Sequence, residues 1–477
     1  MDAVISHSRA LSRVVFLLYL AFAVSLTGQT STGIVTLSPT DNIQQAVTAA
    51  PEGTTFALQA GVYRMQSLVP KNSDIFTGTG TVILNGSQVL SFQLDPAGSG
   101  LWVANATASS TIQGSCQSAY PLCGYVQDLF IDNVLQTPAS NSQGLAAGSW
   151  YFDRSSNAVY IPGNPSNHVV ELGMTTNAFS GSASGVQVNH LTVEKYASPP
   201  QNGAIGATQS GTGWIVDHVE SRWNHGAGIE LGSGSHITNS FIHHNGQLGI
   251  ALGGTNCVAS NNEISWNNYA GFSTGWEAGG SKFWATTNLA VQSNYVHDNN
   301  GPGLWTDNNN VGTLYENNTV INNSSTGIQH EISYNAIIRN NTVKGNGNSP
   351  SVVSLWQGSQ IMVQNSSNVE VYGNTVEVPS VGGNGIGLMN QSRGSGTLGP
   401  WVAANNYVHN NTVVYLGTGG YSGMVDDTGG NTAVGNQFDY NHYTLQNGGS
   451  KHWSWVTSMD WKGFLAAGQE PNGSCCN

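Results

Sequence analysis

Positive charge is what this chain has least of. Thirteen Lys and Arg stand against 26 Asp and Glu, and charged residues of both signs make up only 8% of the sequence. So few cations exclude a nucleic-acid partner, because phosphate neutralisation dominates that kind of affinity. They also weigh against polyuronate substrates, whose carboxylates need countercharge. Cysteine is scarce as well, and Cys116, Cys123, Cys257, Cys475 and Cys476 show no zinc-type spacing with His. Cys116 and Cys123 flank a short loop containing Pro121 and could pair in an oxidising compartment. Cys257 reads as a buried small apolar residue, and the adjacent Cys475 and Cys476 receive no role. Long apolar runs are missing but for Val14 to Leu26, 13 residues, short of the ~20 needed to span a bilayer. Arg9 and Arg13 precede that run and Thr27-Gly28-Gln29 follows it, the pattern of a secretory signal over residues 1–28. The expectation is a secreted or periplasmic protein with no membrane segment once the signal is removed. Its oligomeric state is not legible.

What is present is Gly, at 60 residues, with abundant Asn, 13 Trp, 17 Tyr and 13 Phe. That much aromatic surface cannot stay solvated, so the chain is not disordered. Gly and Asn supply the positive φ of tight turns, and the combination suits a β-rich extracellular protein.

Residues 29–89 read as an N-terminal cap and first coils. A short helix capped by Asp41 or Asn42 precedes the strands around Phe56-Ala57-Leu58 and Gly61-Val62-Tyr63-Arg64. Residues 90–172 change character. Short aromatic strands such as Leu101-Trp102-Val103 and Ser149-Trp150-Tyr151-Phe152 share no period, which predicts an inserted antiparallel, sandwich-like β module.

From 173 to 441 an internal repeat takes over. Its register is Ser240, Asn262, Asn294, Asn318, Asn341, Asn374, Asn406 and Asn436, each followed two residues later by an apolar residue, from Ile242 to Phe438. Coils of this length cannot bury their own apolar face, but stacking makes one continuous core. Asn at one turn of successive coils can bond to the Asn above and below. The fold class is therefore all-β: a right-handed parallel β-helix, a single-stranded solenoid with the β module inserted. Residues 442–477 are expected to leave the repeat as a tail.

Two repeat segments carry chemistry. Gly303-Leu304-Trp305-Thr306-Asp307 and Gly327-Ile328-Gln329-His330-Glu331 each place a carboxylate four residues past the glycine. Related segments begin at Gly228, Gly249, Gly271, Gly385 and Gly423. Side chains alternate along a strand, so position +1 (Ile229, Leu304, Ile328) points inward, and His330 at +3 should be buried and hydrogen-bonded. Position +2 (Glu230, Trp305, Gln329) and position +4 then face outward. The +4 column reads Gly232, Gly253, Gly275, Asp307, Glu331, Met389 and Asp427.

Coils stack ~4.8 Å apart, so Asp307 and Glu331 are expected side by side. Carboxyl groups ~5–5.5 Å apart suit a retaining glycosidase, one as nucleophile and one as acid/base. The +4 glycines would leave a groove beside them, and Trp305 could stack on a sugar ring. Glu277, with Trp276 in a loop overhanging the pair, is a candidate substrate-binding group; Glu230, Gln329 and Trp356 complete that set. The plainer readings are solvated surface, or a site for Ca²⁺. No other cofactor is implied.

Trp305-Thr306-Asp307, Glu316-Asn317-Asn318-Thr319-Val320 and Gln329-His330-Glu331-Ile332-Ser333 resemble the active-site region of the β-helix β-xylosidases, glycoside hydrolase family 120. The inserted module also resembles that family's arrangement. The resemblance implies a carbohydrate substrate, Asp307 as nucleophile and Glu331 as acid/base. Two other classes stay open: a polysaccharide lyase or uronate C5-epimerase, and a non-catalytic carbohydrate-binding protein. The first needs cations at the pair, and none of Arg222, Lys282, Arg339, Lys344 and Arg393 is expected in the Asp307 column.

Overall fold

The computed structural model describes residues 33–206, 211–348, 355–429, 434–449 and 451–476. The expected signal, residues 1–28, lies outside them. The chain folds as a right-handed parallel β-helix. Among the described residues, the main strands form a 24-stranded and an 11-stranded sheet, nearly all in parallel register.

Each coil shows why the repeat works. A three-residue strand such as Leu314–Glu316 ends at a residue in the left-handed region, Asn317 (φ 57°), and the next strand, Thr319–Ile321, follows at once. Asn tolerates that conformation better than most residues. The residue after it, Asn318, is buried: its Nδ2 donates to Asn341 Oδ1 (2.9 Å) and its Oδ1 accepts from Asn294 Nδ2 (2.9 Å). The middle residues of both strands, Tyr315 and Val320, enter a core that runs the length of the solenoid.

The buried polar ladder departs from the sequence register at its end. After Asn374 it continues through Asn411 and Asn441, not Asn406 and Asn436. Asn406 and Asn436 bond to each other at a different turn of the coil, with Ser366 alongside. Both turns place a buried Asn two residues before a core side chain, so one sequence pattern serves both. A further ladder, Asn224, Asn245, Asn267, Asn299, Asn323 and Asn346, ends at Gln360.

At the N-terminal end, helix Ile43–Ala49 is capped by Asn42 and lays Ile43 and Val47 on the core. At the other end the repeat outlasts residue 441. His442–Leu445 pairs in parallel with Thr412–Tyr415, and Trp453–Trp455 with Ser422–Asp426. Only after Trp455 does the chain turn back, and helix Trp461–Ala466 packs Phe464 against Trp453 and Trp455.

The module between the coils has its own core around Leu129, Trp150, Val159 and Leu172. It is built from a five-stranded and a four-stranded sheet, and it is not wholly antiparallel: Thr137–Ala139 runs parallel to Ser149–Asp153. A buried ionic cluster fastens it to the solenoid. Lys195 Nζ bonds Glu171, which also takes Arg64 Nη1 (2.6 Å), and Arg222 pairs with Glu194 (2.9 Å). Removing one partner from such a cluster would strand a buried charge, at a cost of about 3–5 kcal/mol. Cys116 and Cys123 form a disulfide, and Cys257 is buried and free.

Candidate active site

The 11-stranded sheet carries the site. Strand Leu304–Asp307 pairs in parallel with Ile328–Glu331, with Trp305 opposite Gln329 and Thr306 opposite His330. That register continues to Asp307 and Glu331, which end their strands on adjoining coils.

The coil before them is not the one expected. Strand Gly279–Thr287 fills that place, with Phe283 opposite Thr306 and Trp284 opposite Asp307. Gly271-Phe272 lies in the preceding loop instead. The glycine pattern pointed there because Gly280 is followed by Ser281, a polar residue that is nonetheless buried and donates to Gly303 O (3.2 Å). The coil after the pair, Ser359–Gln364, was overlooked because Gln360 replaces its glycine and completes the Asn ladder. It places Gln364 beside Glu331. Asp427 is not in the column either: Met389 pairs with Val425, so Val425 holds that position.

These shifts change the site's electrostatics. Lys282 occupies the +2 position next to Trp305, and its Nζ lies 3.0 Å from Asp307 Oδ2 and 3.7 Å from Glu277 Oε2. The same ammonium sits 4.0 Å from the Trp305 ring centroid, a cation–π contact. Glu331 Oε1 is 2.8 Å from Arg393 Nη1, and its Oε2 accepts from Trp305 Nε1 (3.1 Å) and Gln329 Nε2 (2.9 Å). Each carboxylate thus has its own cation, and the argument from missing cations does not hold. Asp307 Oδ1 has no hydrogen-bond partner.

Trp305 is only 5% exposed, so it is not an open platform for a sugar. It orients Glu331 instead. The aromatic that stands open is Trp284, 36% exposed, which lies over Gly253 and fills the groove that the +4 glycines were expected to leave. Glu277 is buried near Lys282, with Oε2 accepting from Gln201 Nε2 (2.6 Å). Trp276 is turned away, packed with Phe272 against the Cys116–Cys123 disulfide. Trp356 joins an apolar cluster with Met362, Met389 and Val425, farther along the same face.

Glu230 is buried with Oε2 unpartnered, and burial, aided by the Glu277 charge, raises its pKa to about 8. It is therefore a proton-bearing group at neutral pH. His330 is fully buried with Nδ1 2.7 Å from Thr306 Oγ1, and burial lowers its pKa to about 3. It cannot serve as a base. His225, His243 and His297 bond to Asp128, Glu220 and Glu263 at the turns. Among the described residues no group of three or more His, Cys, Asp and Glu is placed to hold a metal ion.

Lys282, Trp284, Gln364 and Arg393 are the residues that the sequence pattern did not assign to the site. Lys282 and Trp284 were recoverable from Gly279-Gly280 as an alternative coil start. Arg393 was not, because it reaches in from the loop before the hairpin of Ser395–Gly396 and Gly399–Pro400.

The family model for the right-handed β-helix region matches residues 203–358. No curated protein matches the sequence. Among solved structures, XylC in complex with xylose is similar over 93% of this chain and 86% of that one, at 14% identity and a TM-score of 0.72. The A-module of the Azotobacter vinelandii mannuronan C-5 epimerase AlgE4 aligns at 13% identity over 91% of this chain and 94% of that one, with a TM-score of 0.47. A glycoside hydrolase aligns at 8% identity over 87% and 96%, with a TM-score of 0.45. At these identities the XylC likeness establishes the fold.

Proposed function

We propose that this protein is a secreted or periplasmic retaining glycoside hydrolase acting on neutral plant-type oligosaccharides. The observation that carries the reading is the pair Asp307 and Glu331, ending adjoining strands on one face of the solenoid. Asp307 has the shorter side chain and one oxygen without a partner, and it is the nucleophile. Glu331 is longer, aimed by Trp305 and Gln329, and acts as acid/base. Arg393 is 34% exposed, so an arriving sugar can displace it and free Glu331 to exchange a proton. Lys282 fixes Asp307 in place, and Trp284 offers the stacking surface. XylC, which shares the fold, was solved with xylose, so β-xylosides come first among the substrates to try. The Cys116–Cys123 disulfide supports an oxidising compartment.

The test is a panel of neutral aryl glycosides. Asp307→Ala should abolish turnover. Glu331→Ala should spare activated aryl glycosides relative to poor leaving groups, with partial rescue by azide. No hydrolysis of any neutral glycoside would remove the proposal. A second reading, a uronate lyase or epimerase, gains support from Lys282 and Arg393 at the pair, where they could neutralise a substrate carboxylate. An unsaturated product from alginate or pectin, seen by ultraviolet absorbance, would put that reading first.

A further inference from the structure

Away from the carboxylate pair, a cavity of ≈ 700 Å³ opens between the inserted module and the turns of the solenoid. That size is ordinary for a small-molecule site, about 300–1,000 Å³. Its walls are unusually aromatic for so polar a chain: Tyr120, Tyr125, Trp150, Tyr151, Phe152 and Tyr269 all line it. Rings of this kind are the surfaces on which the apolar face of a pyranose rests. The solenoid side of the cavity is rigid. Asp128 Oδ2 accepts from Tyr269 Oη (2.7 Å) and lies 2.8 Å from His225 Nδ1, while His225 Nε2 is 2.8 Å from Cys123 O.

Two polar groups in this cavity lack the partner that their chemistry calls for. The Trp150 indole N–H is buried and has no acceptor. Arg154 stacks its guanidinium over the Tyr125 and Phe152 rings at 4.3 and 4.8 Å, and donates to Gln127 Oε1 (3.0 Å). Among the described residues, Arg64, Arg222, Arg339 and Arg393 each pair with a carboxylate, and Arg154 does not. Burial lowers its pKa, although Tyr125 and the Asp128 carboxylate in the same cavity act to raise it. A guanidinium held flat by two rings presents its remaining donors in the fork that suits a carboxylate.

We infer that this cavity is a second binding site, separate from Asp307 and Glu331, for a sugar unit carrying a carboxylate: a hexuronate. Arg154 takes the carboxylate and the aromatic walls take the ring. The inference does not depend on which glycoside the carboxylate pair cleaves. It assigns the acidic sugar to a cation that no carboxylate pairs with directly among the described residues, Asp128 being already engaged by Tyr269 and His225.

Glucuronate and glucose are the probes, because they differ only at C6. Isothermal titration calorimetry on the full chain should show saturable binding of glucuronate and at least about tenfold weaker binding of glucose. Arg154→Met should reduce glucuronate binding by a similar factor. Ala139→Trp, at a second position in the cavity wall, should block it by filling the space. Asp307→Asn should bind glucuronate like the unaltered protein, whatever becomes of its turnover. Equal binding of the two sugars, no binding of glucuronate, or unchanged binding by both cavity variants would overturn the inference. So would loss of glucuronate binding in Asp307→Asn, which would place the ligand in the catalytic groove.

Discussion

Glu230 offers a measurement that reads the electrostatics of the site without knowledge of the substrate. Its carboxyl is buried, Oε2 has no partner, and its pKa stands at about 8 against a reference of 4.5. Below pH 4.5 the group is protonated in both the folded and the unfolded chain, and it costs nothing. Between 4.5 and 8 the unfolded chain ionises it while the folded chain keeps the proton, so stability falls as pH rises. Above 8 the loss is complete and levels off. One pKa unit corresponds to ~1.4 kcal/mol, so the span is worth at most roughly 5 kcal/mol, and less if water reaches the ionised form. Glu230→Gln keeps the shape and removes the titration. Urea unfolding of both proteins from pH 5 to 9 should therefore show near-equal stability at pH 5 and a variant more stable by a few kcal/mol at pH 9. Other groups that titrate are common to both proteins and cancel in the difference. A difference that stays constant from pH 5 to 9 would refute the reasoning.

Asn341→Ala removes the acceptor for both Asn318 N and Asn318 Nδ2 and the donor to Tyr315 O, Arg339 O and Asn374 Oδ1. With two buried donors stranded at ~1–3 kcal/mol each, urea unfolding should report a loss of about 3–5 kcal/mol; under 1 kcal/mol would mean that water repairs the ladder. Lys282→Met leaves Asp307 without its cation, and kcat/KM on any glycoside that the protein cleaves should fall at least about tenfold, with circular dichroism unchanged. His330 should stay neutral down to about pH 3, so its contribution to stability is present above the usual His range and lost as pH falls from ~6.5; the acid limb of the unfolding curve should flatten in His330→Leu. Glu470 closes the ladder by accepting from Asn441 N, Asn441 Nδ2 and Tyr443 Oη. Glu470→Ala should open the last coils first, visible as earlier proteolysis near residue 441.

The sequence by itself determined the solenoid. A strand so short cannot bury a side chain alone, so the apolar residue two places past each buried Asn had to repeat, and the repeat is visible as a one-dimensional pattern. The pairing of Asp307 with Glu331 was legible for the same reason: stacking carries equal positions in successive coils to adjoining places. Tertiary structure decided what the glycine pattern could not express. Ser281 and Gln360 hold positions that elsewhere take an apolar residue or glycine, and each is satisfied by a hydrogen bond to a neighbouring coil that no local pattern records. Those two coils bring Lys282, Trp284 and Gln364 into the site. Trp305 alternates outward as its position requires, yet it is covered, because Lys282 from the previous coil lies on its ring. Arg393 reaches Glu331 across 62 residues of chain. The pairing of charges depends on which loops return over the sheet, and that is settled by packing rather than by period.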